Sequence, residues 1–141
     1  MEEKFSFEQL IAYKKAKEYT VLVYSLLKSF PSEEKYAMCD QLRRASVSVI
    51  SNIAEGTSRQ TAKEKKHFLD IAYGSLMETY SQMDIAKDLY YIKEEDLHEL
   101  RRKAMELKKL LAALKNSYKE ELKTQNTTQS GVQNSKLITQ N

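Results

Sequence analysis

Leu97, Leu100, Ala104, Leu107, Leu111, Leu114, Tyr118 and Leu122 follow one another at steps of three and four residues. An α-helix turns once every 3.6 residues, so this rhythm stacks the side chains into one apolar stripe. A stripe of that length has to be covered, and helices carrying stripes of the same period cover one another in a bundle. Three further segments keep the rhythm. Ala12, Ala16, Tyr19, Val23, Leu27 and Phe30 form the first, and Met38, Leu42, Ala45, Val49 and Ile53 the second. The third runs through Phe68, Ile71 or Ala72, Ser75, Leu76, Thr79, Met83, Ala86 and Leu89. One proline and three glycines in 141 residues leave little material for the turns of a β fold. The predicted fold is therefore all-α, an antiparallel up-down-up-down four-helix bundle, because short connections force each helix to reverse on the one before it.

The boundaries follow from capping chemistry. Ser6 with Gln9 three positions on reads as a capping box opening a first helix that runs to about Phe30. Pro31 breaks that ladder, and Ser32 followed by Glu33 and Glu34 predicts an immediate second start. Gly56 reads as the left-handed stop of helix two, Thr61 with Glu64 as the box of helix three, and Lys93 to Asp96 as the opening of helix four. The bundle domain is expected over residues 1–123. From Thr124 to Asn141 the sequence turns to Gln, Asn, Thr and Ser, and a disordered polar tail is expected there.

Charge and cysteine usage narrow the class. With 23 basic and 20 acidic residues the net charge is only +3, which permits an anionic partner without requiring one. A single cysteine, Cys39, excludes an intrachain disulfide framework or a multi-cysteine zinc site. No segment has the order of a signal peptide or the length of a membrane span, so a cytoplasmic protein is expected.

Helix two carries more apolar surface than one bundle position uses. Beside its core stripe, Tyr36, Cys39, Val47, Ile50 and Ala54 form a second stripe about 120° away by helical geometry. A helix wedged between two neighbours would use such an arc internally. A subunit interface would use Tyr36, Val47, Ile50 and Ala54, and symmetric homo-oligomers are the common solution for exposed apolar stripes.

The run from Gln41 to Gly56, with Gln41-Leu42-Arg43-Arg44-Ala45 at its start and Asn52-Ile53-Ala54-Glu55-Gly56 at its end, resembles the signature of one bacterial family. Phe30-Pro31 and the segment Phe68 to Glu78 fit it as well. The family is that of the four-helix-bundle proteins encoded by intervening sequences in bacterial 23S ribosomal RNA genes, related to the accessory variability determinant of diversity-generating retroelements. The resemblance implies an antiparallel bundle assembled as a homopentamer. It also implies a basic surface that, in the retroelement relatives, contacts nucleic acid and a reverse transcriptase.

Catalytic chemistry finds little support. Glu64 with His67 and Glu95 with His98 have the i, i+3 spacing of di-iron bundles. Each pair sits in the first turn of its helix, however, and antiparallel neighbours put those turns roughly 40 Å apart. Neither a metal nor any other cofactor is expected. Cys39 lies in an apolar stripe away from any histidine that would activate it. Arg43, Arg44, Asn52, Glu55 and Gly56 read as a structural motif, in which Asn52 and Glu55 bond groups at the helix end and Gly56 terminates it rather than serving catalysis. The basic residues carry the functional signal: Arg59, Lys63, Lys65 and Lys66 near the start of helix three, and Arg101, Arg102, Lys108 and Lys109 on helix four, with a smaller group on helix one. Such residues most often form a solvated face, but an oligomer repeats them into a multivalent field for RNA or DNA phosphates. A scaffold docking a protein is the alternative use of the same surface. Base readout is not expected, because the tyrosines sit mostly at core spacing, with Tyr90 and Tyr91 as exceptions.

Overall fold

The computed structural model describes the backbone of residues 2–134 and the side chains of residues 2–119. Four helices dominate: α1 (Ile11–Leu27), α2 (Met38–Thr57), α3 (Ala62–Asp88) and α4 (Glu94–Asn134). Each packs on the helix before it, and α1 closes the ring against α4. Gln82 donates to Gln41 at 3.1 Å and Ser48 meets Ser75 at 2.8 Å, so positions on α3 rise as those on α2 fall. Arg101 with Tyr80 (2.6 Å) and Lys115 with Asp70 (2.5 Å) show the same reversal between α3 and α4. Lys15 with Glu106 (3.3 Å) and Lys103 with Glu18 (3.8 Å) show it between α4 and α1. The up-down-up-down bundle is the observed architecture.

The four stripes meet inside. Leu42, Val49, Ile53, Leu76, Met83, Leu100 and Leu107 are fully buried, each large side chain stabilising the fold by roughly 1.5–3 kcal/mol. Between Ile71 and Ala72 the core takes Ala72, and Ile71 faces outward. One polar contact crosses this interior on the diagonal: the hydroxyls of Tyr19 and Thr79, both fully buried, lie 2.7 Å apart. Thr79 gives its own proton to the Leu76 carbonyl at 2.8 Å, so Tyr19 is the donor. Burial pushes the Tyr19 phenol up to about 12.

Several helix ends differ from those read in the sequence. Ser6 does not open α1. Residues Ser6–Gln9 form a 3₁₀ turn, Leu10 is extended, and α1 begins at Ile11. The Glu8 carboxylate accepts from the Phe5 amide at 2.8 Å, and Phe7 folds back edge-on to Tyr13 at 4.9 Å, which a continuous helix would prevent. Ser32 likewise opens only a 3₁₀ turn, Ser32–Glu34, and α2 begins at Met38 after a break at Ala37 (φ −116°, ψ −99°). The expected start of α3 is present: Thr61 accepts from the Glu64 amide at 3.2 Å and donates to its carboxylate at 3.1 Å. Lys93 opens α4 by donating its amide to Asp96 at 3.0 Å. The helical backbone of α4 continues past residue 123 to Asn134, so the first eleven residues of the expected tail are helical in their backbone; residues 135–141 lie outside the described residues.

Gly56 is not a left-handed stop. It lies within α2, is buried, and no glycine among the described residues has positive φ. A Cβ built there would stand 2.8 Å from the Phe68 Cβ and 3.3 Å from the Lys65 carbonyl oxygen. The residue is small because α3 crosses close by. The left-handed position falls instead on Tyr90 (φ 65°). There Tyr90 donates to Lys87 O at 3.0 Å and Tyr91 to Ala86 O at 2.9 Å, the bond pair of a Schellman stop. Glycine is the residue that fits this position without strain, and the Tyr90 side chain is 94% exposed. Tyr90→Gly is expected to raise the free energy of unfolding by about 1 kcal/mol. Urea titration checks this, and a variant less stable than the parent would mean the ring makes compensating contacts.

Candidate nucleic-acid interface

The basic residues singled out in the sequence do not all share one fate. Arg59 is held at the α2–α3 turn, ion-paired with Glu55 and stacked over the Phe68 ring at 4.7 Å. It braces the turn. Arg101 donates to the Tyr80 hydroxyl at 2.6 Å with its guanidinium 5.7 Å from that ring, tying α4 to α3. Lys63, Arg102, Lys108 and Lys109 are exposed, while Lys65 and Lys66 are half-buried. The Lys65 ammonium sits 4.8 Å over the ring of Tyr118.

The seam between α3 and α4 gathers more than the sequence suggested. Leu69, Asp70 and Tyr73 on α3 face Lys108, Leu111, Ala112 and Lys115 on α4 across a groove of about 240 Å³. Lys115 reaches Asp70 at 2.5 Å. Lys65, Lys108, Lys115 and Arg101 therefore line one strip with Tyr73, Tyr80 and Tyr118 interleaved. From Arg101 to Tyr118 on α4 it extends roughly 25 Å at the helical rise per residue. Neither Tyr73 nor Lys115 stood out in the sequence. The available signal was the recurrence of Lys108, Ala112 and Lys115 at steps of four and three, together with Asp70 and Tyr73 three apart.

The α1–α4 seam is electrically used up. Lys15 pairs with both Glu106 and Glu18 (3.5 Å), and Lys103 with Glu18, so the smaller basic group on α1 contributes chiefly Lys14 and Lys17 to solvent.

On the α1–α2 side the second stripe of α2 divides. Cys39 is buried, and burial pushes its thiol up, away from the nucleophilic thiolate. Ile50 and Ala54 are half-buried, whereas Val47 is 42% and Tyr36 85% exposed. Val47 lines an open groove of about 490 Å³ with Thr20, Val21, Tyr24, Ser25 and Lys28 of the α1 segment. Val21 and Tyr24, both exposed, lie off the core stripe of α1, and for that reason periodicity passed over them.

The remaining residues of the helix-two motif make contacts close to their own positions. Asn52 donates to Ser48 O (2.8 Å) and Ser48 Oγ (3.0 Å), supporting the Ser48–Ser75 contact between helices. Arg44 pairs with Asp40 at 3.3 Å, and the Arg43 carbonyl accepts from Ser46 at 3.0 Å. Among the two Glu-x-x-His pairs, Glu64 is engaged by Thr61, and His98 lies 3.8 Å from Glu94. No cluster of three His, Cys, Asp or Glu side chains placed to hold a metal occurs among the described residues.

Residues 8–113, more than half of the chain, match the family model described as 23S rRNA-intervening sequence protein. The chain belongs to that family. Within the solved structures, the intervening-sequence fold recurs in a protein of unknown function from the S23 ribosomal protein family of Bacteroides thetaiotaomicron. The TM-score is 0.68 with 25% sequence identity, covering 74% of this chain and 98% of that one. The family match spans the Gln41–Gly56 run and the Phe68–Glu78 block on which the resemblance rested. No curated protein matches this chain. No helix among the described residues of this intervening-sequence protein is long and apolar enough to cross a membrane.

Proposed function

We propose that this intervening-sequence protein is a non-enzymatic, cytoplasmic accessory protein that assembles into a homo-oligomer, a pentamer by family resemblance, and binds RNA or DNA through the α3–α4 face. The observation that carries this reading is the strip in which Lys65, Lys108 and Lys115 alternate with Tyr73 and Tyr118 along one seam. Ammonium groups on a helical face neutralise phosphates without reading sequence, and aromatic rings beside them add contact that tolerates any base. The exposed Val21, Tyr24 and Val47 supply apolar surface for the copies of the chain to cover. Repetition around a ring axis multiplies a strip that is weak in one copy.

The reading predicts steep salt dependence. Affinity for a short RNA, followed by fluorescence anisotropy, is expected to fall log-linearly with salt. Lys65→Ala combined with Lys108→Ala is expected to reduce that slope by about 2, one per lost phosphate contact. Binding that ignores salt would refute an electrostatic interface.

A second reading, a scaffold that docks a protein such as a reverse transcriptase without touching nucleic acid, is favoured by Tyr36 and Tyr90. These rings are 85% and 94% exposed at the end of the bundle away from the α2–α3 turn. In that case charge removal on α3 and α4 leaves docking intact.

A further inference from the structure

The α3–α4 groove is built for more than a phosphate track. Its lining is largely aliphatic, from Leu69, Leu111 and Ala112, together with Tyr73, which is 38% exposed. The Tyr73 ring makes no ring–ring or cation contact, and its hydroxyl no hydrogen bond, among the described residues. Lys108 and Lys115 stand at the rim, and Asp70 beside them holds a carboxylate against the Lys115 ammonium. At about 240 Å³ the groove is smaller than the roughly 300–1,000 Å³ of pockets that enclose whole small-molecule ligands. It has room for a single flat ring.

We infer that this groove is a seat for one unpaired nucleobase of a single-stranded nucleic acid, with an amino-bearing base such as cytosine preferred. The inference rests on the nucleic-acid reading above and adds a ligand class to it. An apolar lining and an aromatic ring without a ring or cation partner match the faces of a base, and stacking on such a ring is sequence-tolerant and strong. Lys108, which makes no ion pair among the described residues, matches a phosphate beside that base, and the Lys115 ammonium has N–H bonds left over from its pair with Asp70; this is the charge complementarity an uncharged apolar occupant would lack. Asp70 Oδ1 is held by the Lys115 ammonium, which ties α4 to α3, and its second oxygen is left to accept a hydrogen from an exocyclic amino group, as Asp and Glu do from cytosine N4. Bases in a duplex are stacked and paired, so entry from a duplex would require flipping a nucleotide out. Single strands present the base at no such cost.

The test compares short labelled oligo(C), oligo(U) and a C·G duplex of equal length against the full chain at one fixed salt concentration. Oligo(C) is expected to bind about tenfold more tightly than oligo(U), whose ring differs at the amino position. Tyr73→Ala is expected to weaken oligo(C) binding about tenfold while leaving the duplex unchanged, and Tyr73→Phe to behave as the parent. Asp70→Asn is expected to level oligo(C) with oligo(U). Retained duplex binding reports that each variant is folded. If oligo(C) and duplex bind alike and Tyr73→Ala alters neither, the base seat is wrong and the electrostatic interface survives. If none of the three nucleic acids binds, both are wrong.

Discussion

Gly56→Ala is expected to lower the free energy of unfolding by about 1–2 kcal/mol, and Gly56→Val by more. The sign is the informative part. Inside a helix, alanine is ordinarily favoured over glycine by about 1 kcal/mol, so a residue without close neighbours would gain from the change. At Gly56 the new methyl would lie 2.8 Å from the Cβ of Phe68 and 3.3 Å from the Lys65 carbonyl oxygen. Both atoms are anchored to the α3 backbone and cannot swing aside, so α2 and α3 must separate. That separation loosens the α2–α3 contact and disturbs Arg59, which stacks on the same Phe68 ring. Gly74 in α3 is the internal control, since a Cβ there meets nothing within 4 Å. Gly74→Ala is expected to stabilise by about 1 kcal/mol. Denaturant melts of the two variants should therefore move in opposite directions, and a stabilised Gly56→Ala would show that the helix crossing is looser than these distances imply.

The second large effect concerns assembly. A carboxylate at Val47, facing Val21 and Tyr24 across their groove, would have to be buried without a partner if copies of the chain pack there. Val47→Glu is expected to convert the oligomer to monomer in light scattering at micromolar concentration while its helical content remains. Because the proposed RNA contacts act together only in the assembly, affinity is expected to fall by about 100-fold or more through lost multivalency. A parent protein that is already monomeric at that concentration ends the oligomer hypothesis, and with it the reason for Val47 to lie open.

Much of this architecture was legible in the residues. Most positions of the four 3–4 stripes are buried or half-buried as read, with Leu89 at 47% an exposed exception, and Thr61 caps the Glu64 amide while its hydroxyl, rather than its backbone amide, meets the Glu64 carboxylate. The Gln41–Gly56 run indicated the family. What escaped detection has a common physical origin: it depends on where a second segment lies. Gly56 as a stop and Gly56 as a crossing point look the same until α3 is placed against α2. Ser6 was a sound capping residue, but Phe7 gains an aromatic contact with Tyr13 only if the chain breaks at Leu10. Tyr90 violates the residue preference of its position, so no preference could reveal it. The α3–α4 groove is made of two lateral faces, neither of them notable alone, which meet only in the correct register.

Register returns in a different guise in the hydroxyl pair of Tyr19 and Thr79. A core made only of Leu, Val, Ile and Ala is slippery, since sliding one rod by a turn swaps grease for grease at little penalty. Here such a slide would strand the buried Tyr19 hydroxyl, at about 1–3 kcal/mol, while Thr79 keeps its bond to the Leu76 carbonyl. The pair acts as a detent: it adds little to the depth of the native well, but it raises the neighbouring wells in which α1 sits one notch too high or too low.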